Sequence, residues 1–465
     1  MKTINPSTTL RVNGERSRTI KFFTLGCKVN QYETQVIRER FIKAGFRELE
    51  DGQPADIYVI NTCTVTSTAD RKSRRLIHYS HRQNPKAKII VTGCYTELDS
   101  DEIAKISGIS HIVKNKEKNG IVGLLDEHNE LNEHNEVGIP NAVNQGSRTS
   151  GSRRDTEAVT TFGISNFSGH TRVFLKIQDG CNNLCSYCKI PLVRGASKSR
   201  PLKEIIREAE NLVKNGFKEI VLSGICLGAY GRDLQGQLSL VNVVEALENI
   251  EGLLRIRLSS IEAADVSDRL IQKMRQSRKL CRHLHIPIQS GDDAVLKKMK
   301  RSYKGRDYLN LINRIKRYMP GVAITTDVMV GFPGEDEINF KNTTDLIKKV
   351  LPLRVHIFPY SPREGTPAYN FKDKVNPVKI RERILRLQGI AKACALAYRK
   401  GFLTKNTDVL DVLIETQSKE NPTLWEGYTD NYIKALVKSN QNLKNQLVSV
   451  RLEKITKDFI LAEFH

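Results

Sequence analysis

The chain is poor in tryptophan, with one in 465 residues, and aromatic residues of all kinds make up only 6%. It lacks any run of about 18 apolar residues, which excludes an ordinary membrane-spanning helix. Its first eighteen residues, "MKTINPSTTLRVNGERSR", hold no apolar h-region, which excludes a secretory signal. The expected location is therefore the cytoplasm, with no membrane partner and with thiols kept reduced. Negative charge is scarce as well: 52 Asp and Glu stand against 74 Lys and Arg, a net charge of +22. A field of that sign disfavours cationic partners and attracts polyanions, nucleic acid foremost. The cysteines number nine, odd and spread through a long chain, which excludes the disulfide framework of a small secreted domain.

The length allows two to four domains. Residues 18–118 repeat one unit three times: "TIKFFTLGC", "DIYVINTC" and "KIIVTGC" are apolar runs ending in cysteine, each followed by a helical pattern. Strands alternating with helices predict a parallel sheet, whose ligands gather at the carboxyl ends of the strands. Cys27, Cys63 and Cys94 all stand at such ends and can converge on one point. Residues 119–168, with "DEHNELNEHNEVGIPNAVNQGSRTSGSRRD", are polar and aperiodic, which predicts a linker whose His128 and His134 are simply solvated.

Over 169–400 six apolar runs alternate with helical patterns: "RVFLKIQDGC", "EIVLSG", "LRIRLSS", "RHLHIPIQSG", "AITTDVMVGFPG" and "LRVHIFPYSP". The count predicts a partial (β/α)6 barrel with its chemistry at the carboxyl ends. Ser223, Gly224, Ser259, Glu262, Gln289 and Asp327 end such strands and are candidates to contact a cofactor or substrate there. Residues 401–465 lose the alternation and predict a small antiparallel β-barrel. Its Trp425, Tyr428 and Tyr432 are candidate stacking faces for RNA bases. The fold class is thus α/β with a β appendage.

The densest chemistry lies in "KIQDGCNNLCSYCKIPLVRG", where Cys181, Cys185 and Cys188 occupy eight positions just after the first barrel strand. A zinc site would normally add a fourth Cys or His at a similar short spacing, and the next is as far off as Cys226. Three thiolates with a gap suit a cubane iron–sulfur cluster in which one iron stays open to a small molecule. Cys226, Cys281 and Cys394 read as buried structural residues, with Cys226 near the expected pocket.

Cys-x3-Cys-x2-Cys at the opening of a βα barrel resembles the radical S-adenosylmethionine enzymes. "TLGCKVNQYET", "VINTCTVTSTADRKSRR", "VTGCYTE", "CNNLCSYCKIPLVRG", "LHIPIQSGDDAVLKKMKR", "DVMVGFPGE" and "FPYSPREGTPA" narrow the resemblance to the methylthiotransferases, and "EGYTDNYIKALV" resembles their RNA-binding TRAM domain. "LGCKVNQYET" with "LGAYG" is most similar to the MtaB type, which acts on N6-threonylcarbamoyladenosine beside the anticodon of tRNA. The resemblance implies two 4Fe-4S clusters, an auxiliary one on Cys27, Cys63 and Cys94 and a radical one on Cys181, Cys185 and Cys188. It also implies S-adenosylmethionine, chelated at the open iron, packed near Tyr187 and held at its amino group by Ser223 and Gly224. The implied reaction methylates a sulfur of the auxiliary cluster, then passes methylthio to C2 of the adenine. The implied partners are a tRNA anticodon stem-loop and a reduced flavodoxin or ferredoxin-type electron donor. Arg194 and the Arg71, Arg74 and Arg75 cluster are the expected readers of the substrate's carboxylate. Lys189, Leu192, Cys226 and Glu364 depart from the family pattern without removing a cluster ligand.

Two readings compete. One keeps the chemistry and moves the target to isopentenyladenosine or to an aspartate of a ribosomal protein. The basic "RKSRRLIHYSHR" favours RNA. The other is a non-enzymatic iron–sulfur RNA-binding protein, which would have no need of six barrel strands with polar ends.

Overall fold

A parallel strand covered on both faces must be apolar along its whole length, and Ile57–Thr62 is buried at all six positions. In a computed structural model, which describes residues 18–50, 52–125, 163–167, 169–403 and 409–464 and the backbone of 11–12 and 15–16, this strand is the centre of a five-stranded sheet. The strands are β1 (Thr19–Thr24), β2 (Arg47–Glu48), β3 (Ile57–Thr62), β4 (Lys88–Gly93) and β5 (Ile109–Val113), in the order β2-β1-β3-β4-β5 and all parallel. The helices α1 (Lys28–Lys43) and α2 (Ser67–Gln83) follow β1 and β3, so the three repeated units are joined by two further strands.

The polar tract is shorter than its composition suggests. Ile121 and Leu125 are buried in the core of the first domain, and Ile164 and Phe167 are buried in the core of the second. Both ends of the expected 119–168 linker therefore belong to folded units. His128 and His134 lie outside the described residues.

The second domain has the six expected strands: β6 (Arg172–Lys176), β7 (Glu219–Ser223), β8 (Arg255–Leu258), β9 (His283–His285), β10 (Ala323–Val330) and β11 (Arg354–Pro359). They form two three-stranded parallel sheets, β8-β7-β6 and β9-β10-β11. Parallel bridges Ile256↔Leu280 and Ser260↔His285 join β8 to the β9 region. The result is a curved six-strand wall with a side opening between β6 and β11. Alternation sorts its faces: Val173, Leu175, Ile220, Leu222, Ile324 and Val328 pack outward under the helices. An ordinary barrel fills its interior with branched apolar side chains. Here the inward positions carry Arg172, Glu219, Arg257, His285 and Asp327 instead, so the lumen is polar.

The third domain is a closed five-stranded barrel: β12 (Leu410–Gln417), β13 (Leu424–Thr429), β14 (Lys434–Lys438), β15 (Leu447–Ile455) and β16 (Ile460–Phe464). It departs from the expected all-antiparallel arrangement, because β14 and β16 pair in parallel. It docks under the amino ends of the large barrel's strands. Arg255 donates to the carbonyls of Tyr428 and Asp411, each at 2.8 Å, and Arg257 donates to that of Asp430 at 2.9 Å.

Glycine precedes Cys27 and Cys94 for a steric reason. Gly93 has φ +105°, and a Cβ there would stand 2.3 Å from the Thr62 carbonyl oxygen. Gly26 has the same φ, and its Cβ would come within 2.9 Å of the Cβ of Cys63. Each glycine lets the following cysteine approach the neighbouring strand end. Gly93→Ala combines a positive φ with a backbone clash and should cost at least about 1–3 kcal/mol. Gly120→Ala, where nothing lies within 4 Å, should leave thermal denaturation unchanged. Equal melting of the two variants would contradict this reading.

Candidate functional site

The carboxyl ends of β1, β3 and β4 bring Cys27, Cys63 and Cys94 together, and the three thiols lie within electrostatic reach of one another. Cys63 and Cys94 are buried, and Cys27 is exposed. Burial pushes the Cys63 thiol up to about 12 and raises Cys94 as well. Buried thiolates need a cation to be stable, and metal coordination provides one.

Cys181, Cys185 and Cys188 form a second group on the loop after β6. Ser186 pins this loop: its amide donates to the Met299 carbonyl at 3.0 Å and its hydroxyl to the Lys298 carbonyl at 2.8 Å. Burial pushes Cys188 up to about 12 and also raises Cys185, whose sulfur accepts from Arg301 at 3.4 Å. Cys181 is lowered to about 7, chiefly through its hydrogen bond with Cys226. Among the described residues no three His, Cys, Asp or Glu side chains close tightly enough for one metal ion. A polynuclear cluster takes its thiolates on separate iron corners, so it needs a wider set. Two such triads, each able to leave one corner open, fit that requirement.

The domains meet where these groups lie. Lys189 pairs with Asp99 at 3.2 Å, and Arg363, after β11, pairs with Asp70 at 2.6 Å. The first domain therefore grips both edges of the side opening at the carboxyl ends of the strands. Glu33 on α1 is the hub: its carboxylate pairs with Lys118 at 2.5 Å, with Lys176 at 2.9 Å and with Arg194 at 2.9 Å. Arg194 also donates to Asp179 at 3.0 Å, to Asn30 at 2.5 Å and, through Nε, to the Cys94 sulfur at 3.3 Å. Its side chain is 1% exposed.

That saturation corrects one expectation: Arg194 is built into the wall beside Cys94 and has no free donor for a substrate carboxylate. Arg71, Arg74 and Arg75 are exposed on α2, with Arg74 donating to the Tyr95 hydroxyl at 2.7 Å. The three C-terminal aromatics are also corrected. Trp425 is in the core of its own barrel and donates to the Ser439 carbonyl. Tyr428 and Tyr432 stack on each other at 5.1 Å beneath the large barrel. Tyr432 also stacks on His283 and lies under Arg172, Arg257 and Arg354. Their faces are occupied by packing, so none is open to a base.

The mouth residues separate by role. The Ser259 hydroxyl and the side-chain amide oxygen of Gln289 are buried without a partner, and Gln289 holds φ +66°. Orphaned polar atoms and backbone strain at a barrel mouth fit a polar small molecule bound there. Glu262 pairs with Arg301. The Ser223 hydroxyl donates to the Val221 carbonyl at 3.2 Å, and a Cβ at Gly224 would stand 2.9 Å from the Gln178 side-chain oxygen. Tyr187 packs edge-on against Phe332 at 6.4 Å. Asp327 faces the lumen between His285, at 3.2 Å, and His356, at 3.5 Å. The sequence alone does not single out these histidines, Glu33, Arg301 or Arg363, although every one of them lies inside a segment quoted above.

Two family models match the chain: Uncharacterized protein family UPF0004 over residues 19–114 and Radical SAM superfamily over residues 175–347. It is 40% identical over 439 residues to threonylcarbamoyladenosine tRNA methylthiotransferase MtaB of Bacillus subtilis (strain 168), covering 94% of each chain. The protein of that name from Thermotoga maritima is 36% identical, with 96% of each chain covered. A tRNA-2-methylthio-N(6)-dimethylallyladenosine synthase of Clostridium tetani is 32% identical over 95% of this chain and 96% of its own length. Among solved structures, the radical S-adenosylmethionine methyltransferase TsrM of Kitasatospora setae shares the fold at TM-score 0.53 and 15% identity, over 76% of this chain and 77% of that one.

The Glu33 hub has a measurable signature. Burial alone would raise its carboxyl, but Lys118, Lys176 and Arg194 hold it well below the usual range. A depressed folded value gives stability that is complete above the unfolded value, about 4.3, and lost as pH falls through the folded one. Glu33→Gln should cost about 3–5 kcal/mol near neutrality, as for a broken buried ion pair. The gap from wild type should close only below about pH 4, the unfolded carboxylate range. Urea denaturation from pH 7 to pH 3 checks this, and a gap closing between pH 8 and 6 would contradict it.

Proposed function

The chain belongs to the radical S-adenosylmethionine tRNA methylthiotransferases, and from that membership we propose that it converts N6-threonylcarbamoyladenosine beside the tRNA anticodon to its 2-methylthio derivative. The observation that carries this reading is the pair of three-cysteine groups gathered at one barrel mouth and joined through Arg194, which follows the second triad and donates to Cys94 of the first. A transfer of methylthio to carbon needs both a radical source and a sulfur source within reach of one base.

In this reading Cys181, Cys185 and Cys188 hold the 4Fe-4S cluster that binds S-adenosylmethionine, and Cys27, Cys63 and Cys94 hold a second one. When bound, these groups supply one-electron cleavage of the cofactor and the sulfur that is transferred. The protein's own part is binding, orientation and charge. Ser259 and Gln289 offer the cofactor unpaired polar atoms, and Arg301 offers its sulfur-facing guanidinium beside Glu262. Arg194, fixed by Glu33 and Asp179, places positive charge against the Cys94 sulfur and so favours the thiolate. The carbonyl-bonded Ser186 keeps the Cys181–Cys188 loop in one conformation.

The RNA approaches the mouth from the first-domain side, where Arg71, Arg74 and Arg75 are exposed for phosphate contact; phosphates position and do not specify. A stem-loop presents its base unpaired, so little unstacking is needed to reach the mouth. The electron comes from a reduced flavodoxin or ferredoxin-type donor. No helix among the described residues is long and apolar enough to cross a membrane, and we place the protein in the cytoplasm with its tRNA.

Two measurements test this. Anaerobic reconstitution should load about eight irons as two cubanes, and replacing either cysteine triad by Ala should halve that. A wild-type count of four would remove the second cluster. Nucleoside analysis after incubation with S-adenosylmethionine and a reductant should show methylthiolation of stem-loops carrying the threonylcarbamoyl group. Activity only on the dimethylallyl form would reassign the chain to that branch of the family.

A further inference from the structure

The lumen below the mouth holds more positive charge than its carboxylates balance. Glu219 is taken by Arg257 at 2.6 Å and lies within reach of Arg172 and Arg255. Glu415 is taken by Arg172, and Asp327 is the remaining carboxylate, held between its two histidines. That leaves Lys28 and Arg354, which have no carboxylate within ion-pair distance among the described residues. Both face the same floor. Arg354 lies 5.6 Å from the Tyr432 ring centroid. Lys28 lies 5.9 Å from that of Phe174 and lines, with Arg172, Phe174, Arg257 and Tyr432, a cavity of about 190 Å³.

The position of Lys28 follows from the sequence. It is the first residue of α1, directly after Cys27, and α1 packs beside β6 at the side opening. Its backbone therefore belongs to the auxiliary group while its ammonium reaches the lumen. At about 190 Å³ the cavity is smaller than the roughly 300–1,000 Å³ of ordinary small-molecule sites. That is room for a polar substituent and too little for a nucleotide.

We propose that Lys28, assisted by Arg354, binds the carboxylate of the threonylcarbamoyl group and so selects that substrate over adenosines whose substituent is uncharged. This rests on the substrate reading given above and names the group that enforces it. In adenine, C2 and C6 flank N1 on one edge. A base with C2 at the mouth between the cysteine groups carries its N6 substituent along that edge, where the lumen can receive it. The polar lumen gives the carboxylate its donors, with the Tyr428–Tyr432 pair packed beneath them. Lys28 and Arg354 are both exposed, so a dimethylallyl group costs them little hydration but forgoes the charge pairing that the threonylcarbamoyl carboxylate makes.

The test is equilibrium binding of anticodon stem-loops, with and without the threonylcarbamoyl group, to anaerobically reconstituted full-length protein. Wild type should prefer the modified RNA, and Lys28→Gln should shrink that preference about ten- to hundred-fold, the size of a lost charge-assisted hydrogen bond. Arg354→Gln should shrink it less, and Lys28→Arg should restore most of it. Iron content equal to wild type in each variant separates loss of recognition from loss of the neighbouring cluster. An undiminished preference in Lys28→Gln and Arg354→Gln overturns the proposal while leaving the substrate reading intact. A wild type that prefers the dimethylallyl stem-loop overturns both.

Discussion

The carboxylate of Glu33 binds three cations from three places in the chain: Lys118 from the end of the first domain, Lys176 from the first barrel strand and Arg194 from the helix after the cysteine triplet. Each of those cations would be costly to bury alone, and so would the carboxylate. Together they lock the first domain to the barrel in one register. That register decides how Cys94 stands relative to the Cys181 loop, because Arg194 donates to Cys94 and follows Cys188 by six residues. Two cysteine groups that belong to different domains become parts of one site through this single cluster.

The second constraint is inversion of the barrel's interior. Here the apolar residues of the strands face outward under the helices and charged ones face in. The C-terminal barrel closes the lower end with Tyr432, clasped among His283, Arg172, Arg257 and Arg354. The first domain bridges the edges of the side opening between β6 and β11 and leaves Arg354 and His356 on β11 exposed. The upper mouth faces both cysteine groups, so a base held there can pass one substituent inward.

Much of this was legible in the sequence because the signals are local. Strand-then-cysteine repeats placed Cys27, Cys63 and Cys94 at strand ends, and the Cys181–Cys188 spacing declared its chemistry without a fold. All six barrel strands appear where apolar runs alternate with helical patterns. The failures are all matters of partnership across long sequence separations. Arg194 looked free because Glu33 is 161 residues away. Tyr428 and Tyr432 looked like open stacking faces because nothing local says that the small barrel docks under the large one. Lys28 stands in the sequence directly after Cys27, and only the fold shows that its ammonium turns toward the lumen. The polar tract looked like a linker as far as 168 because Ile164 and Phe167 are two apolar residues in a polar window, yet both are core.

On the proposed reading, two cysteine groups at one mouth serve methylthiolation of a carboxylate-bearing adenosine in tRNA. Mass spectrometry of nucleosides from the tRNA of a strain lacking this protein tests it most directly. The account predicts loss of the 2-methylthio derivative of N6-threonylcarbamoyladenosine with accumulation of the unthiolated nucleoside, restored by the wild-type chain and not by one lacking Cys27, Cys63 and Cys94. An unchanged level of that derivative, with loss of the dimethylallyl one instead, would contradict it.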